Sequence, residues 1–393
     1  MNRSLNQMIL NGLAISLLVA CNTPNPLVLT KKSGTTKGVS WIEEKVSKTF
    51  RKKIDIDTDK GLNQPLAISL PYRETSYFET IDPGATGYRF TVKKGEQVKV
   101  EINTNPSSGI QLYTELWEKT YDEPSLIGTA DGVTHSLAYD IEKDGQYIVR
   151  LDPDAEQDIS YTVTITTGPS LAFPINKSDK PRISSFWGAS RDNGKRSHQG
   201  IDIMAKKHTP LVAVADGYIT SVKNGGLGGK TVSLRPHGKN YSVYYAHLDE
   251  QYVREGQYVK IGDTIGTVGN TGNAAKTAPH LHFGIYSNGG AVDPLAFVHS
   301  NLPDAKNVKA DTSNIRGTAK TKSTTSLYQL PGIASKKTLV KANLPVKILA
   351  ASDNFYRVRM ADGKEGFIPS TAINKAIKKK EELAGKITSK KEG

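Results

Sequence analysis

The chain has 393 residues, 37% of them hydrophobic and 23% charged, with a formal net charge of +13. That length accommodates two or three domains, and that mixture excludes a polytopic membrane protein and a disordered chain. A single cysteine excludes a disulfide framework and a thiolate zinc cluster, so any metal site must be built from histidine and carboxylate.

The charge is unevenly spread along the chain. Residues 1–60 carry a net +5, residues 61–168 a net −9, residues 182–300 a net +5 and residues 301–393 a net +11. Shifts of this kind mark separate modules.

At the amino terminus, Arg3 precedes an apolar stretch from Met8 to Ala20 that is too short to span a bilayer comfortably. It ends in Leu18-Val19-Ala20-Cys21, which resembles the bacterial lipobox. The resemblance implies a signal peptide over residues 1–21, lipidation of Cys21, and an exported protein anchored to a membrane and facing the periplasm or the cell surface. Residues 22–60 then read as a polar tether.

Residues 62–168 show short alternating runs such as Tyr88-Arg89-Phe90-Thr91-Val92 and Tyr161-Thr162-Val163-Thr164-Ile165, separated by turn signals such as Lys143-Asp144-Gly145. The pattern predicts an antiparallel β-sandwich. Its order of runs and turns resembles accessory domains of the pre-peptidase C-terminal type. Asp152, Asp154, Glu156 and Asp158 form an acidic stretch without the glycine a tight calcium loop needs, so they read as a solvated turn.

A proline-containing linker covers residues 169–181. Residues 182–300 form a glycine-rich β segment that holds seven of the eight histidines. A polar linker, 301–320, precedes short strands over 321–372. Those strands end in Tyr356-Arg357-Val358-Arg359-Met360, Asp362-Gly363 and Glu365-Gly366-Phe367-Ile368-Pro369, an ending that resembles bacterial SH3-like wall-binding modules. Residues 373–393 are a basic tail. The expected fold class is mainly β: an N-terminal sandwich, a central β-rich domain and a small C-terminal barrel.

Three stretches of the central segment carry chemistry. In Ser197-His198-Gln199-Gly200-Ile201-Asp202-Ile203, Gly200 and the β-branched neighbours favour a strand, on which positions four apart share a face. In Pro279-His280-Leu281-His282-Phe283 the period of two puts both imidazoles on one face. The third is Tyr244-Tyr245-Ala246-His247-Leu248. Two histidines and an aspartate suffice for a tetrahedral catalytic zinc site with an open fourth position, and two histidines remain to handle protons. No histidine is followed by glutamate, which excludes the helical His-Glu-x-x-His arrangement.

Together these motifs resemble the LytM/lysostaphin-type zinc endopeptidases, which cut peptide bonds in peptidoglycan. The resemblance covers about residues 182–298 and includes Gly269-Asn270-Thr271-Gly272-Asn273 ahead of the His-x-His. It implies one zinc ion held by His198, Asp202 and His282, with His247 and His280 as the catalytic pair. His135, His208, His237 and His299 fit no motif position and read as structural or exposed. The loop Gly225–Gly229 and the insert Ala274–Thr277 are candidates to edge a substrate groove.

The expected function is therefore a lipid-anchored peptidoglycan endopeptidase whose basic flanks favour residence in a carboxylate-bearing wall. The lipoprotein context leans towards cross-links that involve a diamino acid. The competing expectation is a non-catalytic wall-binding scaffold or amidase activator built on the same domain. Nucleic acid is excluded as a partner, because the cations are not interleaved with stacking aromatics and the export signal removes the partner.

Overall fold

The computed structural model describes residues 59–79, 84–105, 111–130, 134–154, 158–299 and 302–377. Cys21, the signal segment, most of the tether and all but the first residues of the basic tail lie outside them. The described chain is mostly β, with several 3-10 turns and two four-residue α-helices, Lys60–Asn63 and Leu295–Val298.

Residues 66–169 form two facing sheets. One runs Leu66–Ala67, Thr86–Val92, Gly145–Asp154, Gln111–Glu118 and Ser125–Thr129; the other runs Tyr72–Phe78, Ile159–Pro169, Glu96–Asn105 and Leu137–Asp140. Period-two alternation turns Tyr88, Val98, Val149, Leu151, Val163 and Ile165 into one shared core, all fully buried. Of the acidic stretch, Asp152 is held by Arg150 at 2.9 Å and Asp158 by Arg316 at 2.6 Å.

The C-terminal strands do not stand apart from this sandwich. Strand Pro345–Ser352 pairs with Tyr72–Phe78 through Thr75↔Ala351 and Ser76↔Ala350, so the second sheet continues into Phe355–Met360, Glu365–Pro369, Thr325–Tyr328 and Lys337–Val340. Tyr328, Phe355 and Phe367 join the sandwich core. Beneath the seam lies Glu74, fully buried. It accepts from Tyr72 Oη at 2.7 Å, Tyr88 Oη at 2.9 Å, and Arg357 Nε and Nη2 at 2.9 and 3.0 Å. The sequence pattern predicts separate modules on either side of the central domain; this strand pairing and the buried ion pair link them, while the C-terminal strands also enclose a core of their own that includes Val346, Ile348, Val358 and Ile368.

The central domain is a second large sheet, ordered Arg182–Ser185, Ile201–Met204, His280–Ser287, Tyr241–Gln251, Lys230–Pro236, Gly217–Asn224 and Tyr258–Val259. Pro210–Val212 and Thr264–Val268 pair against it. Ile201, Ile203, Leu281, Phe283, Val243 and Tyr245 point to one side and are fully buried. The opposite side of the same three strands is left for the polar residues between them.

Candidate functional site

Register decides which polar residues meet. Asp202 lies opposite His282 and Met204 opposite His280 on one pairing, while Ala246 lies opposite His282 on the other. Because cross-strand partners share a face, the His-x-His strand receives Asp202 on one side and the end of the Tyr244–Leu248 run on the other. His198 arrives from the residues just before strand Ile201–Met204. Gly200 permits this: a Cβ there would stand 2.6 Å from the Phe283 carbonyl oxygen and 2.7 Å from the His282 ring.

His247 is brought in by an irregularity rather than by alternation. The pairing shifts between Tyr245↔Val232 and Leu248↔Lys230, a bulge that leaves His247 with φ of 66°. A left-handed histidine is held against its preference, a feature that clusters at functional sites. The bulge puts both Ala246 and His247 on the same cleft, whereas a regular strand would send them to opposite faces.

Three donor atoms converge. His198 Nε2 lies 3.0 Å from His282 Nδ1 and 3.0 Å from Asp202 Oδ1, and His282 Nδ1 lies 3.1 Å from the same oxygen. Four-coordinate zinc with bonds of about 2.0–2.1 Å requires ligand atoms about 3.3 Å apart, so the triangle fits that ion within a few tenths of an ångström. The proton inventory points the same way. His198 Nδ1 meets the Phe186 carbonyl at 3.0 Å, which fixes its proton there and leaves Nε2 as a bare lone pair aimed at a carboxylate oxygen. A cation between the three atoms would relieve that opposition.

The remaining two histidines stand beside the triangle. The His247 ring centre is 5.0 Å from that of His280 and 5.9 Å from that of His282. His247 Nδ1 donates to the Thr271 carbonyl at 2.9 Å and His280 Nδ1 to the Ala278 carbonyl at 2.8 Å. Both rings therefore present Nε2 to the cleft. Burial, aided by the neighbouring His280 and His282, pushes the pKa of His247 down to about 4, so it is neutral at pH 7.

These five residues line a cleft of about 780 Å³. Tyr244 and Tyr286 form an edge-to-face pair on its wall, with ring centres 5.9 Å apart. Leu227, Gly228, Ala274 and Thr277 border it, so both loops singled out in the sequence reach it. Gly229 and Gly272 both adopt positive φ, and their backbones interlock closely enough that a Cβ on either would stand 2.4 Å from the other's nitrogen. His208 pairs with Asp249 at 2.9 Å, His237 and His299 are exposed, and His135 sits in the sandwich; none lines the cleft. Sequence reasoning missed Arg191 and Ser185, which belong to no motif spacing and reach the site from the strand and short hairpin that precede His198.

Similarity to known proteins falls on the segment that carries this cleft. Residues 196–294 match the model of Peptidase family M23. An uncharacterized metalloprotease of Haemophilus influenzae is 39% identical over 136 residues, 33% of this chain and 28% of that protein. The peptidoglycan DD-endopeptidase ShyC of Vibrio cholerae is 35% identical over 141 residues, 35% of this chain and 31% of that protein. The murein hydrolase activator NlpD of Escherichia coli is 35% identical over 117 residues, 30% of this chain and 29% of that protein. The chain thus spans less than a third of the length of each of these relatives.

Proposed function

We propose that this chain, whose residues 196–294 are a Peptidase family M23 domain, is a zinc endopeptidase that hydrolyses peptide bonds in peptidoglycan. In this reading His198, Asp202 and His282 hold one zinc ion per chain, and His247 and His280 are the catalytic pair. The observation that carries it is the convergence of three lone-pair donors beside two histidines that both offer Nε2 to the same cleft.

Zinc, when bound, supplies Lewis acidity that polarises a scissile carbonyl and acidifies water. The rest falls to the chain. A neutral imidazole whose Nδ1 proton is committed to a backbone carbonyl accepts at Nε2, so His247 or His280 takes the proton of the attacking water as general base. The imidazolium so formed is a donor, held by the same backbone carbonyl, and returns that proton to the leaving amine. The partner histidine and the tyrosine wall confine the substrate between them.

An activator role needs the cleft covered or its ligands lost. Among the described residues, none outside 184–286 lines the cleft, and all five motif positions are occupied. That favours catalysis. Export, lipid anchoring at Cys21, residence at a membrane facing the periplasm or cell surface, and wall contact through an SH3-like C-terminal module complete the proposal, with peptidoglycan as the partner. The test is to incubate the protein with one equivalent of zinc and purified peptidoglycan. An endopeptidase releases soluble fragments on its own, and a chelator stops it. An activator releases none alone and accelerates an added amidase.

A further inference from the structure

Arg191 occupies no position in the motifs, yet it lines the cleft and its guanidinium touches the proposed metal site. Its Nη2 lies 2.7 Å from Asp202 Oδ2 and 2.7 Å from Ser185 Oγ. Ser185 Oγ lies in turn 3.2 Å from His198 Nδ1, the same nitrogen that faces the Phe186 carbonyl. One side chain therefore reaches two of the three ligands, Asp202 directly and His198 through a hydroxyl. Arg191 sits on the short hairpin Ser190–Arg191 and Arg196–Ser197, and is about a third exposed.

We propose that Arg191 is a positioning residue that makes Asp202 a single-oxygen ligand. This inference rests on the zinc reading above. A carboxylate is free to turn about its last torsion and to offer both oxygens to a dication, which would raise the coordination number and fill the position a water needs. The guanidinium takes Oδ2 by a short charge-assisted bond, leaving Oδ1 as the oxygen that faces His198 Nε2 and His282 Nδ1. Partners behind metal ligands commonly set ligand orientation in this way.

Two physical effects of Arg191 have opposite signs, which makes the idea testable. Orientation of Asp202 strengthens metal binding, whereas repulsion between a guanidinium and a dication weakens it. If orientation dominates, Arg191→Ala loses zinc affinity by about 10–100-fold, the range usual for removal of such partners. If repulsion dominates, the variant binds zinc as tightly as the wild type or more tightly.

The experiment is chelator-competition titration of zinc on the full chain, comparing wild type, Arg191→Ala and Arg191→Lys. The visible absorption of the cobalt-substituted proteins gives a second readout. We expect weaker zinc binding in Arg191→Ala, partial recovery in Arg191→Lys, and loss of intensity in the tetrahedral cobalt bands as Asp202 becomes bidentate. Equal or tighter zinc binding with an unchanged cobalt spectrum in Arg191→Ala overturns the proposal. Circular dichroism of the metal-free variants separates a folding defect from an affinity change, and Arg191→Lys supplies the comparison if Arg191→Ala is unfolded. A wild type that takes up no zinc at all refutes the metal-site reading itself, an outcome distinct from any difference among the variants.

Discussion

Two of the buried charge clusters among the described residues, those around Glu74 and Asp202, are built on opposite principles. Around Glu74 every acceptor has its donor: two tyrosine hydroxyls and two guanidinium nitrogens share the two carboxylate oxygens at 2.7–3.0 Å. Around Asp202 the acceptors outnumber the protons, with two imidazole nitrogens turned onto one oxygen at 3.0 and 3.1 Å. The first cluster is closed over by the joined sheets, whereas the second opens on a cleft. A complete network marks a structural joint, and an incomplete one aimed at an open space marks a place prepared for something else.

Breaking the second cluster tests chemistry without touching the joint. His247→Ala or His280→Ala should lower kcat on peptidoglycan by about 10²–10⁴-fold while zinc stoichiometry stays at one, measured by turnover beside elemental analysis. A loss of zinc in either variant would place that histidine among the ligands instead.

Breaking the first cluster tests stability without touching the chemistry. Glu74→Ala leaves Arg357 with Glu365 as its remaining carboxylate and removes the acceptor of the Tyr72 and Tyr88 hydroxyls, and should cost about 3–5 kcal/mol in denaturant unfolding, with zinc uptake unchanged. Replacing both partners by apolar residues, Glu74→Leu with Arg357→Met, should recover most of that loss. If the single variant costs nothing, the seam between sandwich and C-terminal strands is not held as described.

Acidity distinguishes the two regions as well. His247 has its pKa lowered from 6.5 to about 4 in the fold, so below pH 6.5 the unfolded chain binds the proton more readily than the folded one. Its contribution to stability is complete above pH 6.5 and is lost as pH falls towards 4, by up to about 3 kcal/mol in the metal-free protein. Denaturant titrations of the metal-free wild type and His247→Asn across that window should show the slope in the wild type alone. A smaller effect is expected of Gly200→Ala, whose new Cβ would meet the Phe283 carbonyl and the His282 ring. We expect a loss of about 1–3 kcal/mol with weakened zinc binding, read by thermal melts with and without the metal.

The contrast also explains what could be read from the sequence. His280 and His282 are two positions apart on one strand, so local periodicity alone predicts that they share a face, whereas His198 lies before the strand that carries Asp202 and reaches it through the chain turn at Gly200 rather than through alternation. The sandwich likewise follows from alternation along each strand. The Glu74–Arg357 joint does not, because the partners are 283 residues apart and Glu74 is a charged residue at an inward position of its strand, where alternation calls for an apolar side chain. His247 shows another limit: its residue type is conspicuous, but the bulge that aims it into the cleft depends on a register shift against Val232 and Lys230. Arg191 was illegible because an arginine in a short turn before the motif carries no periodic signal.

The central claim is that the cluster of His198, Asp202, His247, His280 and His282 is a hydrolytic site. Its most direct test is mass spectrometry of purified peptidoglycan treated with the zinc-loaded wild type or with Asp202→Ala. The account predicts new peptide amino termini in the wild-type digest, whose masses name the bond cut, and none with Asp202→Ala. Zinc-loaded wild type that binds peptidoglycan yet generates no new termini would contradict it.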